Sequence, residues 1–327
     1  MSFRGLEGGW SVAEVTLVRE VAAERSEGIA QPHPLIPKAT ARRGTKRMAP
    51  EVRAVVGPTL TRARAAELMA AGKLDPGRCS VVWNLRGRPV SHPITQVQIP
   101  SLDSLLPVRR IGTHKRAESR IAMFPVLRGG GVTMLELESQ LELHHAIELS
   151  LDPRVETLVA QPFLMVWRHE EGAMVHVPDL AARIGGQFTV FAVKPDDRLE
   201  GERTRRLFDF VAETLRCGRI DFRVLGSMSP QRKVNLVRIA RYRWLDGRLQ
   251  RLLEAIAPHA PRTVGGLSRL VNAHLGLGAG CADAPGPHEM VGVDVALYAI
   301  AHGRVRVDLD APLQMATSLT WSPRALP

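Results

Sequence analysis

The stretch from Glu138 to Lys194 leaves this chain the fewest options, because a helix-patterned segment is followed by short β-forming runs and a Gly185-Gly186 pair. Leu137 and Leu141 pair at i, i+4, as do Leu143 and Ile147, which places Glu138 and Glu142 one turn apart on one helical face. Asp152-Pro153 ends that helix, and VETLVAQPFLMVWR continues extended, with Pro162 marking a break or an edge. Met174, Val175 and Val177 then lead to Asp179, while Phe188, Thr189, Val190, Phe191 and Val193 lead to Lys194. With Gly-Gly between them, the two runs read as a hairpin carrying one acid and one lysine. That pair suits phosphodiester hydrolysis, in which a hard cation needs oxygen ligands and a cationic group belongs near the attacking water. Glu142 is the further candidate ligand.

Downstream, PDDRLEGERTRRLFDFVAETLRCG reads as one amphipathic helix with Leu207, Phe208, Val211 and Leu215 inward. A strand, DFRVLG, and a helix from Gln231 to about Arg243 follow, an order that implies an α/β layer on a mixed sheet. Upstream, Thr61 to Leu74 has helix-forming composition with a Thr cap, and CSVVWNL reads as a strand. QPHPLIPKATARRGTKRMAP reads as a flexible basic arm, and Arg109 to Arg120 is a second basic cluster. Beyond Trp244 come short helical runs, a Gly/Ala/Pro-rich loop from Gly276 to Pro287 and a helix, MVGVDVALYAIAHG. The alternating RVRVDLDAPLQMATSLTWS suits a β-hairpin turning near Asp310-Ala311-Pro312, so this end suggests a winged helix.

Composition narrows the partner. The 44 Lys and Arg against 33 Asp and Glu give the 327 residues a net charge of +11, which favours a polyanion, and nucleic acid first. No apolar run reaches the roughly 18 residues that span a bilayer, and the N-terminus lacks the apolar stretch of a signal peptide. The expectation is a cytoplasmic protein with no membrane partner. Cys79, Cys217 and Cys281 are too scattered for a disulfide framework or a zinc site. His144 and His145 diverge on a helix, so they do not form the i, i+4 pair of zinc hydrolases and read as surface or partly buried residues.

Taken in order, ESQLELHHAIELSLDPRVETLVAQPF, VPDLAAR and FAVKP resemble the endonuclease subunit of heteromeric transposases, the TnsA type. The resemblance covers roughly Arg110 to Arg243, with a weaker echo in the C-terminal hairpin region. It implies an α/β restriction-endonuclease-like core, a mixed β-sheet flanked by helices, over residues 110–243. It also implies a winged-helix-like partner-binding domain over residues 244–327 and a basic, partly folded N-terminal extension over residues 1–109. Carried over by position, Glu142, Asp179 and Lys194 are the catalytic residues. Glu142, Asp179 and the main-chain carbonyl of Val193 become ligands of Mg²⁺, with Mn²⁺ as its substitute. The implied reaction is hydrolysis of double-stranded DNA at the 5′ ends of a transposable element. The implied partners are an integrase-type transposase subunit, which cuts and joins the 3′ ends, and an AAA+ ATPase regulator. Glu138 is read as structural support, and Gln161 in AQPF is assigned no chemistry. Arg205, Arg206, Lys233 and Arg238, with Arg232, are candidates for phosphate contacts.

The sequence departs from the family pattern at one place: Ala192 stands two residues before the lysine, where such cores carry Glu, Asp or Gln. A rival reading follows, in which a degenerate nuclease fold is retained for DNA binding and assembly. A third is a stand-alone restriction or repair nuclease. Each residue also has an ordinary role open to it: Asp179 as a turn former after proline, Lys194 as an edge-strand gatekeeper, Glu138 and Glu142 as a solvated helix face. The functional reading of Lys194 requires Asp179 to lie opposite it across the hairpin.

Overall fold

The computed structural model describes residues 43–113, 119–120, 122–244, 246–275 and 289–322. Most of the basic arm, the middle of the Arg109–Arg120 cluster, Cys281 and the Gly276–Pro287 loop lie outside the described residues.

The first half opens with β1 (Arg43–Met48), α1 (Pro50–Val56) and α2 (Arg62–Ala70), the last capped as expected by the Thr61 hydroxyl on the Arg64 N–H. It continues with β2 (Cys79–Leu85), β3 (Arg88–Pro93), β4 (Arg109–Thr113) and the two-residue β5 (Ser119–Arg120). The ribbon β6 (Ala122–Arg128) and β7 (Gly131–Leu137) leads into α3 (Gln140–Leu151). Five strands follow: β8 (Val155–Ala160), β9 (Phe163–His169), β10 (Gly172–His176), β11 (Leu180–Ile184) and β12 (Gln187–Val193). Gly201 splits the single amphipathic helix expected next into a short α4 (Asp196–Leu199) and α5 (Glu202–Cys217). Then come β13 (Asp221–Leu225), α6 (Pro230–Ile239), α7 (Gly247–Ile256), α8 (Val264–His274), α9 (Glu289–Ala301) and the minimal pair β14 (Val305–Arg306) and β15 (Thr320–Trp321).

A four-stranded mixed sheet, ordered β13-β12-β11-β8, lies at the centre, parallel at β12–β13 and antiparallel elsewhere. Gly185 and Gly186, at φ +56° and +82°, form the two-residue turn between β11 and β12 that the sequence implies. Alternation along the strands sends two apolar sets to opposite faces. Val159, Ala181, Phe188 and Val190 pack with Trp83, Met165 and Trp167 of a second sheet, β10-β9-β2-β3, and with Val211 and Leu215 of α5. Leu158, Leu180, Phe191 and Val193 pack with Leu143 and Ile147 of α3, Phe124 and Leu135 of the ribbon, and Leu236 of α6. Pro162 divides the extended VETLVAQPFLMVWR between these two sheets, since β8 belongs to one and β9 to the other.

Two expectations change here. β2 is hydrogen-bonded to β9 from Cys79–Trp167 to Trp83–Phe163, so from residue 43 onward the expected N-terminal extension is built into the same body as the core. The C-terminal segment is not a regular hairpin: only two residues pair on each side. Its alternating residues are used in docking, for Leu309 and Leu313 pack against the core, and Asn235 of α6 donates to the carbonyls of Leu309 and Ala311 at 2.8 Å each. The third cluster joins α7, α8 and α9 through Leu253, Leu267, Val271 and Val295.

Asn235 is fully buried, and its loss strands two carbonyls that it now satisfies. Asn235→Ala is expected to lower unfolding free energy by about 1–3 kcal/mol, measured by urea denaturation.

Candidate functional site

At one edge of the central sheet, β8, β12 and β13 end and β11 begins. Asp179 immediately precedes β11, and Lys194 immediately follows β12. On the β8 side the ladder extends by one step to pair Asp179 with Gln161, whose N–H donates to Asp179 O at 3.0 Å. On the β12 side Asp179 N–H donates to Phe191 O at 3.1 Å, one residue out of the Leu180–Phe191 register, so Asp179 and Leu180 both stand against Phe191, as at a β-bulge. Lys194 is therefore not directly opposite Asp179 but three residues further along the chain than Phe191, whose carbonyl receives the Asp179 N–H.

Glu142 arrives from the start of α3 by a local mechanism. Ser139 is the N-cap: its hydroxyl accepts from Glu142 N–H at 3.1 Å and donates to Glu142 Oε1 at 2.9 Å, while Glu142 Oε2 accepts from Glu138 N–H at 2.8 Å. This is a variant of the capping box, written in the sequence as Ser-Gln-Leu-Glu, in which the Glu side chain reaches the N–H of the residue before the cap. The same cap corrects the expected helix start, because Leu137 lies in β7 and Glu138 precedes the cap rather than sharing a helical face with Glu142. Glu138 nevertheless turns inward, and one carboxylate oxygen each from Glu138, Glu142 and Asp179 lies within 4.8 Å of the others. Its placement among the acids goes beyond the structural support assigned to it.

Each acid has donors. Asp179 Oδ2 accepts from Val193 N–H at 2.7 Å. Glu138 Oε1 lies 3.4 Å from both Arg109 Nη1 and Gln161 Nε2. Glu138 and Glu142 are each only 5% exposed. Burial first, then the charges of Asp179 and Glu138, push the Glu142 carboxyl up to about 8, against the lowering effect of its own hydrogen bonds. The three carboxylates together form a hard, all-oxygen donor set, which fits Mg²⁺ or Mn²⁺.

His176, at the end of β10, escaped the sequence reading; its only signal there was a position three residues before Asp179. Burial, then Arg109 and Lys194, push its imidazole down to about 3, which holds it neutral and places both cations in its surroundings. His145 is buried and shares a 2.8 Å hydrogen bond with the Gly226 carbonyl, whereas His144 is only half-buried.

The expected phosphate contacts fall on helices against opposite faces of the central sheet. Arg205 and Arg206 are exposed near the start of α5, where Arg205 borders a shallow depression with Asp196, Leu199 and Glu200, and Arg206 pairs with Glu202 one turn back. Lys233 lies in the first turn of α6, while Arg238 is a turn further along and donates to Leu313 O at 3.3 Å. Arg232 is committed to Glu148 and Asp310.

Compared with models of known protein families and with curated proteins, the chain matches none. No helix among the described residues is long and apolar enough to cross a membrane.

Because the folded state raises the Glu142 pKa from 4.5 to about 8, it binds a proton more tightly than the unfolded chain does between those values. Stability from this group is therefore present at low pH and lost as pH rises towards 8. In chelator, wild type is expected to lose on the order of a few kcal/mol relative to Glu142→Gln between pH 5 and 8.5, read by urea denaturation across pH.

Proposed function

We propose that this chain is a divalent-cation-dependent DNA endonuclease subunit of a heteromeric transposase, resembling the TnsA type. The observation that carries the reading is the meeting of Glu138, Glu142 and Asp179 at the sheet edge from which Lys194 also emerges. The central sheet, covered by α3 and α6 on one face and α5 on the other, is compatible with a restriction-endonuclease-like core. The three C-terminal helices followed by β14 and β15 run in winged-helix order. In that region α9 is apolar and largely buried, so we assign the C-terminal part to partner contacts rather than to reading DNA bases.

In this reading Glu142 and Asp179 hold Mg²⁺ or Mn²⁺, and the bound cation supplies Lewis acidity at the phosphodiester. Val193 N–H and the capping box keep the two carboxylates facing inward. Lys194 offers positive charge to the phosphate as negative charge builds on its oxygens. Arg205 and Lys233, in the first turns of α5 and α6, are placed to steady the DNA backbone. An integrase-type transposase and an AAA+ ATPase would be the partners, as the resemblance implies.

Ala192 favours a second reading, a catalytically silent nuclease fold that binds DNA and assembles the complex. The side chain at that position is a buried methyl group with no donor atom.

The test is cleavage of element-end DNA by the chain with its cognate transposase in Mg²⁺ and then Mn²⁺. Nicks at the 5′ ends are expected with wild type, falling at least ~100-fold in Asp179→Asn and Lys194→Ala. No cutting by wild type, with DNA binding and assembly intact in all three proteins, would establish the silent-fold reading instead.

A further inference from the structure

Asp179 lies between two strands: on the β12 side its N–H bonds to the Phe191 carbonyl, with Ala192 next along, and on the β8 side it pairs with Gln161. A side chain that helps Asp179 to hold a cation can come from either position. Ala192 offers no donor. Gln161 is 2% exposed, its Nε2 lies 3.4 Å from Glu138 Oε1, and its Oε1 is buried with no hydrogen-bond partner among the described residues. A buried amide oxygen left unpartnered costs about 1–3 kcal/mol, so one whose own amide nitrogen reaches Glu138, a member of the three-carboxylate group, points to a ligand that the polypeptide does not supply.

We propose that Glu138 and Gln161 take over the role vacant at position 192, so that a hard divalent cation is held by the carboxylates of Glu138, Glu142 and Asp179 and by the Gln161 amide oxygen. The inference rests on the nuclease reading of the same site and specifies its donor set. Supply comes from the β8 side of Asp179 and from the residue ahead of the α3 cap, instead of from β12. All four donors are oxygens, which selects Mg²⁺ and Mn²⁺ over softer metals. Arg109 contacts the same Glu138 oxygen at 3.4 Å, so cation entry competes with one guanidinium contact.

The experiment is titration of the full chain with Mn²⁺ in the absence of DNA, followed by calorimetry and by the paramagnetic resonance of free Mn²⁺. The variants are Glu138→Gln, Gln161→Asn and Asp179→Asn. Asparagine is chosen at 161 because the backbone there is left-handed, at φ +49°, a conformation asparagine adopts readily while drawing the amide oxygen back by one methylene. Wild type is expected to bind one Mn²⁺ per chain, with affinity at least ~10-fold weaker in both Glu138→Gln and Gln161→Asn, and with their melting temperatures in chelator retained. Loss of binding in Asp179→Asn alone, with the other two variants equal to wild type, would overturn this donor set and leave the nuclease reading standing. Absence of Mn²⁺ binding by wild type would overturn both. Should Gln161→Asn melt early in chelator, Gln161→Glu decides: it keeps an oxygen and must bind Mn²⁺ at least as tightly as wild type, and weaker binding would sink the proposal.

Discussion

Three carboxylates brought within 4.8 Å of one another, two of them almost wholly buried, repel each other strongly, and the elements around them are arranged to offset that repulsion. The donors come from every direction. Ser139 and the Glu138 N–H serve Glu142, the Val193 N–H serves Asp179, and Arg109 and Gln161 serve Glu138. Arg109 belongs to β4, which pairs with β1, so part of the compensation is delivered by the N-terminal half of the chain. The inclusion of that half in the folded body thus has an electrostatic reason as well as a hydrophobic one. The protonation of Glu142 expresses the same balance: its hydrogen bonds favour the anion, and burial beside Asp179 outweighs them.

The central sheet brings these groups together because four strand ends share one edge. Antiparallel pairing returns the chain to the edge between β8, β11 and β12, and the parallel partner β13 ends level with β12. The Gly185-Gly186 turn sets the register of β11 against β12, and a one-residue slip would send Phe191 and Val193 to the wrong face. At Asp179, whose N–H bonds to the Phe191 carbonyl, the chain departs from that register by one residue just where the site begins.

Much of this was legible from local chemistry. The Gly-Gly turn, the Thr61 cap, the strand Cys79–Leu85 and the break at Pro162 all follow from residue types with strong backbone preferences, and they occur where expected. The inward turn of Glu138 was not legible, since a 3.6-residue period cannot show that Leu137 still belongs to a strand; the Ser-x-x-Glu capping pattern was the signal that could have placed the helix start. The hairpin strand was assigned to Met174–Val177, whereas Leu180–Ile184 forms it, because Ala181, Ala182 and Arg183 carry little strand propensity and are placed by tertiary pairing. Gln161 was legible only as a residue before proline. Its contact with Glu138 joins residues far apart in the chain, which no local pattern encodes.

The last stretch of the chain bears on the site through α3. That helix is fixed at its start by the capping box, in its middle by the bond between His145 and the Gly226 carbonyl just beyond β13, and further along by Glu148. Glu148 pairs with Arg232, Arg232 with Asp310, and Asp310 accepts from the Ser229 hydroxyl at 2.7 Å. Residues 309–311 thus brace α6 against the helix that presents Glu142, and Asn235 closes the same contact from inside. An alternating sequence that would otherwise extend a free hairpin instead supplies carbonyls and an acid to this joint. The short pairing of β14 with β15 is the corollary, because backbone groups engaged by α6 are not available for a ladder.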